Sequence, residues 1–156
     1  MKAVIVGCGR VGAMLAGTLD AANHEVIIVD LATRSFDRLP STFRGEAIRG
    51  DGTDEDVLRR AGAADATVFF ALTEGDNRNI MASQLARESL RIPTVIAKVN
   101  DPMRAEAYAE MGLGTLCRTT MMVDGLMGTL GLPPSGIPAI RPGAAHGVHP
   151  HSTSEE

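Results

Sequence analysis

The sequence predicts an α/β fold: a doubly wound, parallel, six-stranded sheet with helices on both faces. Three observations point there. Short strand-like runs alternate with helix-like stretches about six times. The early runs are continuously apolar and β-branched, as strands buried on both faces must be. A glycine-rich turn, VGCGRVG at residues 6–12, joins the first such run to the first helical pattern. The length of 156 residues fits one domain with a core of its own.

The elements follow in order. Residues 3–6 read as the first strand, and Val11, Met14, Leu15, Thr18, Leu19 and Ala22 then recur at helical spacing. A second buried strand at 26–29 ends at Asp30. Residues 34–39 read as a weak helical turn stopped by Pro40, and 46–49 as a short third strand. Thr53-x-x-Asp56 predicts a capping box for a helix that Gly62 closes. Residues 68–72 are a fourth strand, 75–91 hold a helix and 94–99 a fifth strand. Residues 102–111 are a helix with proline in its first turn. A weak sixth strand is expected at 114–117 and a last helix at 121–130. From Gly131 the composition turns to Pro133, Pro134, Pro138, Pro142 and Pro150, and no periodicity survives. Three segments are therefore expected: a nucleotide-binding domain at 1–118, a C-terminal helix with a crossover or interface segment at 119–142, and a disordered tail at 143–156. His146, His149 and His151 fall in that tail, where a solvated segment is favoured over a metal site.

Composition narrows the function. The formal net charge is −4, lysine occurs only at Lys2 and Lys98, and the arginines are scattered. That argues against nucleic acid as a partner. Aromatic residues make up 3% of the chain, too few for base-stacking platforms. Cys8 and Cys117 form neither a disulfide framework nor a zinc pattern, which favours a reduced, cytoplasmic setting. Strand-like sequence from Ala3 leaves no room for a signal peptide, and no apolar run is long enough to insert in a membrane.

The glycine turn carries the first functional signal. Gly7 permits a tight turn off the strand, Gly9 lets phosphate approach backbone N–H groups, and Gly12 lets helix and strand pack closely. The helix N-terminus adds partial positive charge. Asp30 ends the next strand, where a carboxylate accepts hydrogen bonds from both hydroxyls of an adenine ribose and repels a 2′-phosphate. This Rossmann-like arrangement favours NAD(H) or ATP/ADP over NADP. Arg10 opens the helix at its phosphate end, as a phosphate reader or as a solvated helix residue. Asp51, in the turn after the third strand, is placed to accept from an adenine amino group. Thr73 and Glu74 close the fourth strand at the same edge, and Lys98 and Asn100 the fifth.

VGCGRVG, VIIVD at 26–30, GDGTDEDVLRRAG at 50–62, ALTEGDNRN at 71–79 and VIAKVNDP at 95–102 occur in one order. In that order they resemble the regulatory nucleotide-binding domain of Trk/Ktr-type bacterial potassium uptake systems, the RCK or KTN domain. The resemblance covers roughly residues 2–130. It implies a cytosolic gating subunit that binds NAD(H) or adenine nucleotides and controls a membrane-embedded potassium transporter or channel. It also implies a homo-oligomer built from dimers, up to an octameric ring. By the same resemblance Gly7, Gly9, Arg10, Gly12, Asp30, Asp51, Thr53, Thr73 and Lys98 line the nucleotide site. Their neighbours Cys8, Val11, Leu31, Gly52, Leu72 and Asn77 complete the candidate set. Many members carry a second ligand-binding domain. Few residues follow Leu130 here, so an effector site of that kind is not expected. Met121, Met122, Val123, Leu126, Met127 and Leu130 are either core or a subunit interface.

The alternative is a stand-alone NAD-dependent oxidoreductase, or the detached cofactor domain of one. Catalysis requires groups that position a substrate and move its proton. Tyr108 has no lysine four residues on, His24 lies in a turn away from the ligand edge, and Cys8 has no activating neighbour in sequence. No catalysis is expected.

Overall fold

The computed structural model describes residues 1–143. Seven strands form one sheet: β1 (Lys2–Val6), β2 (Glu25–Asp30), β3 (Glu46–Arg49), β4 (Val68–Ala71), β5 (Thr94–Lys98), β6 (Gly114–Leu116) and β7 (Ile140–Arg141). Their order is β3-β2-β1-β4-β5-β6-β7. The first six run parallel, joined by α1 (Arg10–Ala21), a 3₁₀ helix (Thr33–Arg38), α2 (Glu55–Arg60), α3 (Asp76–Glu88) and α4 (Pro102–Glu110). After β6 the chain forms α5 (Arg118–Thr129). No helix among the described residues is long and apolar enough to cross a membrane.

The continuous apolar runs do what their pattern requires. Val4, Val6, Ile27, Val29 and Phe69 face one apolar cluster, under α2 to α4; Ile5, Val26 and Ile28 face the other, under α1. Successive side chains of one strand thus enter different cores, so no position can be polar.

The structure departs from the sequence expectation in three places. The sheet has a seventh strand: residues 140–141 pair antiparallel to β6, with Leu116 opposite Ile140. The 131–143 segment is therefore a strap returning to the sheet, tied by Cys117 N donating to the Ala139 carbonyl at 2.7 Å and Ser135 N donating to Asp124 Oδ1 at 2.7 Å. Helix α2 is capped by Asp54, which accepts from the N–H groups of Asp56 and Val57, and not by Thr53. The last helix begins at Arg118, three residues earlier than its periodicity suggests. Of the tail expected at 143–156, only Gly143 lies within the described residues.

Candidate functional site

The parallel strands bring their carboxyl ends to one edge, where the order folds back between β1 and β4. A cleft of about 300 Å³ opens there. Its base is the glycine turn. Gly7 has φ +105°, a conformation open to glycine, and its N–H donates to the Val29 carbonyl at 2.8 Å. A Cβ at Gly12 would collide with the Gly7 carbonyl oxygen, so the α1–β1 contact requires glycine. Gly9 differs. It caps α1 in extended backbone, no side chain caps the helix, and a Cβ at Gly9 would meet nothing within 4 Å. The first turn of α1 therefore presents amides without a side-chain acceptor beside open space, which fits a phosphate group.

Asp30 lies across from this turn, held by two backbone amides. Oδ2 accepts from Cys8 N at 2.7 Å and Oδ1 from Ala32 N at 2.8 Å. Each oxygen keeps a lone pair for a hydroxyl donor. Leu31 is exposed beside it and also lines the cleft. On the opposite wall Asp51 uses Oδ1 for both the N–H and the hydroxyl of Thr53, at 2.9 and 2.8 Å. These bonds, with the Arg78 charge, hold its carboxyl below the usual carboxylate range. Thr53 thus orients Asp51 and lies behind the cleft wall, whereas Asp51 and Gly52 line it.

Leu72 and Thr73 supply the β4 edge. Thr73 is wholly engaged by one buried residue, Asn79. Asn79 Oδ1 accepts from Thr73 N at 2.8 Å and from its hydroxyl at 2.7 Å; Nδ2 donates to the Thr73 carbonyl at 3.0 Å. With its proton committed, the Thr73 hydroxyl faces a ligand only as an acceptor. Asn79 Nδ2 also donates to the Lys98 carbonyl at 2.9 Å, binding the ends of β4 and β5 together.

The remaining candidates lie outside the cleft lining. Cys8 is buried, its thiol directed at the Ser35 carbonyl at 3.2 Å. Burial, then the Asp30 charge, pushes its pKa up to about 11, which leaves no reactive thiolate near neutrality. Arg10 and Val11 are exposed on the first turn of α1. Asn77 accepts from Arg104 at 2.6 Å on the flank of α3. Lys98 is buried, and loss of hydration lowers its ammonium pKa, with Glu74 opposing. Sequence reasoning missed Val6, Val29, Ser35, Arg38 and Arg78, which also line the cleft, and Asn79 behind it. Arg78 and Asn79 sit inside the quoted ALTEGDNRN stretch. The signal was there, but not which way each side chain points.

The profile of the TrkA-N domain matches residues 3–118. The chain belongs to the TrkA-N family. It is 42% identical over 127 residues to the Trk system potassium uptake protein TrkA of Streptomyces coelicolor, covering 81% of this chain and 57% of that protein. The chain thus spans little more than half the length of this relative. Among solved structures, the TrkA-N domain of the Escherichia coli inner membrane protein ybaL superposes with a TM-score of 0.73. It is 18% identical and covers 83% of this chain and 96% of that one. The GsuK channel bound to NAD superposes with a TM-score of 0.66 at 23% identity, covering 81% of this chain and 23% of that one. At these identities the likeness is one of fold.

Proposed function

We propose that this TrkA-N chain is a cytosolic regulatory subunit of a potassium uptake system, gating a membrane-embedded partner through the nucleotide it binds. The observation that carries the reading is the uncapped N-terminus of α1 beside the open space at Gly9, facing the oriented carboxylate of Asp30. Phosphates sit on the α1 amides, and Asp30 takes the ribose hydroxyls and disfavours a 2′-phosphate. Asp51 accepts from the adenine amino group, and Arg38 and Arg78 supply cations within the cleft. NAD(H) and ADP or ATP all offer these groups. Relatives in fold carry NAD, ADP and AMP in their solved structures.

The chain performs no catalysis in this reading. The Cys8 thiol is buried, and its pKa of about 11 keeps it protonated near neutrality. Instead nucleotide exchange shifts an equilibrium between two arrangements of a homo-oligomer, by the difference in affinity for the two. The self-contact is α5 with its C-cap, where Met122, Leu126 and Leu130 are 61%, 63% and 70% exposed along one apolar face that no other described residue covers.

Calorimetric titration of the full chain with NADH, NAD, ATP, ADP and NADP tests the first step. Sub-millimolar binding of the non-NADP nucleotides is expected. Asp30→Ala should weaken each about 10-fold to 100-fold, the equivalent of one or two lost charge-assisted hydrogen bonds. Absence of sub-millimolar binding, or an unaffected Asp30→Ala variant, overturns the reading.

A further inference from the structure

The cleft at the carboxyl edge is built over one half of the sheet. In a doubly wound fold each half can seat one nucleotide, and a dinucleotide lies across both, from β1–β3 to β4–β6. Here the lining comes from the ends of β1 to β4, the 3₁₀ helix and the first turn of α3, and β5 and β6 contribute none of it. Its volume of about 300 Å³ stands at the small end of ligand pockets, which run from roughly 300 to 1,000 Å³.

Two side chains close the crevice beyond β4. Asn79 is fully buried. Its Oδ1 accepts from both the N–H and the hydroxyl of Thr73, and its Nδ2 donates to the carbonyls of Thr73 and Lys98. All four bonds open to an amide side chain are used, and they staple the end of β4 to the end of β5. Asp76, at the start of α3, holds the loop that follows β5. Its Oδ1 accepts from the N–H and Nδ2 of Asn100 at 2.9 and 2.8 Å, and its Oδ2 from the Asp101 N–H at 3.2 Å. Arg104 of α4 reaches the neighbouring Asn77 at 2.6 Å and ties a third element to the same corner. A second nucleotide seated here has to find partners among these groups, and the N–H groups of Thr73, Asn100 and Asp101 are already committed to side chains. Lys98, the cation on β5, is buried outside the lining. Freeing the Asn79 network leaves buried polar atoms unpaired, which costs more than one new hydrogen bond returns. The half over β1–β3 is the reverse. The first turn of α1 has no side-chain acceptor, Asp30 is already oriented, and Arg38 and Arg78 add two cations to the lining. A terminal phosphate brings more charge to such amides and cations than a diphosphate bridged between two riboses.

On the nucleotide reading above, we propose that the cleft is a mononucleotide site. It takes adenosine 5′-phosphates in preference to a dinucleotide, and Asp76 and Asn79 set that preference by closing the half of the crevice over β4 to β6. NAD enters by its adenylate half alone, with the second ribose and the nicotinamide left in solvent. The subunit then follows the phosphorylation state of the adenylate pool and not the redox state of the nicotinamide pool.

The test is calorimetric titration of the full chain with ADP, ADP-ribose and NAD. ADP should bind at least about 10-fold more tightly than NAD, the difference expected for a charge-assisted contact at the terminal phosphate. ADP-ribose should match NAD, because the nicotinamide finds no contact. Saturation-transfer NMR on NAD should mark the protons of adenine and its ribose and leave those of nicotinamide unmarked. Asp76→Ala frees three donors at the end of β5 and should narrow the ratio between ADP and NAD by at least about 3-fold. That ratio is read within one protein, so a general loss of affinity does not mask it. NAD binding as tightly as ADP, NAD binding more tightly than ADP-ribose, or a marked nicotinamide ring overturns the proposal and leaves the nucleotide reading standing. An unchanged ratio in Asp76→Ala overturns the role given to Asp76. Absence of sub-millimolar binding by all three ligands overturns the proposal and the nucleotide reading together.

Discussion

At the carboxyl edge of the sheet, polar side chains hold the loops in place. Asp30 takes two backbone amides, Asp51 takes the amide and hydroxyl of Thr53, and Asn79 makes four bonds to Thr73 and Lys98. Asp76 accepts from Asn100 and Asp101, so the loop after β5 is tied to the start of α3. The C-terminal end, by contrast, is held by a two-residue strand and a few single bonds, and it exposes Met122, Leu126 and Leu130. The first region is fixed before a ligand arrives, so binding there need not order a loop. The second keeps apolar surface in water, which a partner or ligand can cover. In the proposed function the first region reads the ligand and the second carries the response.

The contrast is broken most severely at Gly12. Gly12→Val forces a side chain into the Gly7 carbonyl and should destabilise by about 3 kcal/mol or more, measured by urea unfolding. Asn79→Leu removes all four bonds that the buried Asn79 makes to Thr73 and the Lys98 carbonyl. It should lower stability by about 2–3 kcal/mol and weaken nucleotide binding with it. Leu126→Asp tests the other region. It should dissociate the homo-oligomer proposed above in native mass spectrometry, while changing unfolding of the separated chain by no more than about 0.5 kcal/mol. Within the cleft, Arg78→Ala should weaken nucleotide binding more than Arg10→Ala, because only Arg78 is part of the lining. The reverse order by calorimetry would assign the phosphate to the outer arginine.

The smallest effect is pH-dependent. The Cys8 pKa in the fold, about 11, lies above its ordinary 9.0. The folded state therefore holds this proton more tightly than the unfolded chain. Its contribution is intact below pH 9 and falls as pH rises from 9 to 11. Denaturant midpoints across that window should decline more in the native chain than in Cys8→Ala.

Much of this was legible in the sequence. The buried strands are visible because both faces demand apolar residues, and the glycine turn because its backbone tolerates no side chain at Gly7 or Gly12. Asp30 follows from its place at the end of β2. The α2 cap was misread for a local reason: Asp51 captures the Thr53 hydroxyl, so the next residue, Asp54, closes the helix. The strand at 140–141 had no periodic signal, being two residues set among prolines. It forms because β6 leaves an open edge beside it.

By itself the sequence determined which backbone segments are buried and which turn must accept a close neighbour. Those are constraints on single residues and their near neighbours, written into residue type and spacing. Tertiary structure decided which side chains face the cleft: Arg38 and Arg78 within it, Arg10 and Lys98 outside the lining, Asn79 behind it. It also decided that a proline-rich segment becomes the seventh strand. Those outcomes depend on how helices sit on the sheet and on which edge is left unpaired, and neither is set by any short stretch of the chain.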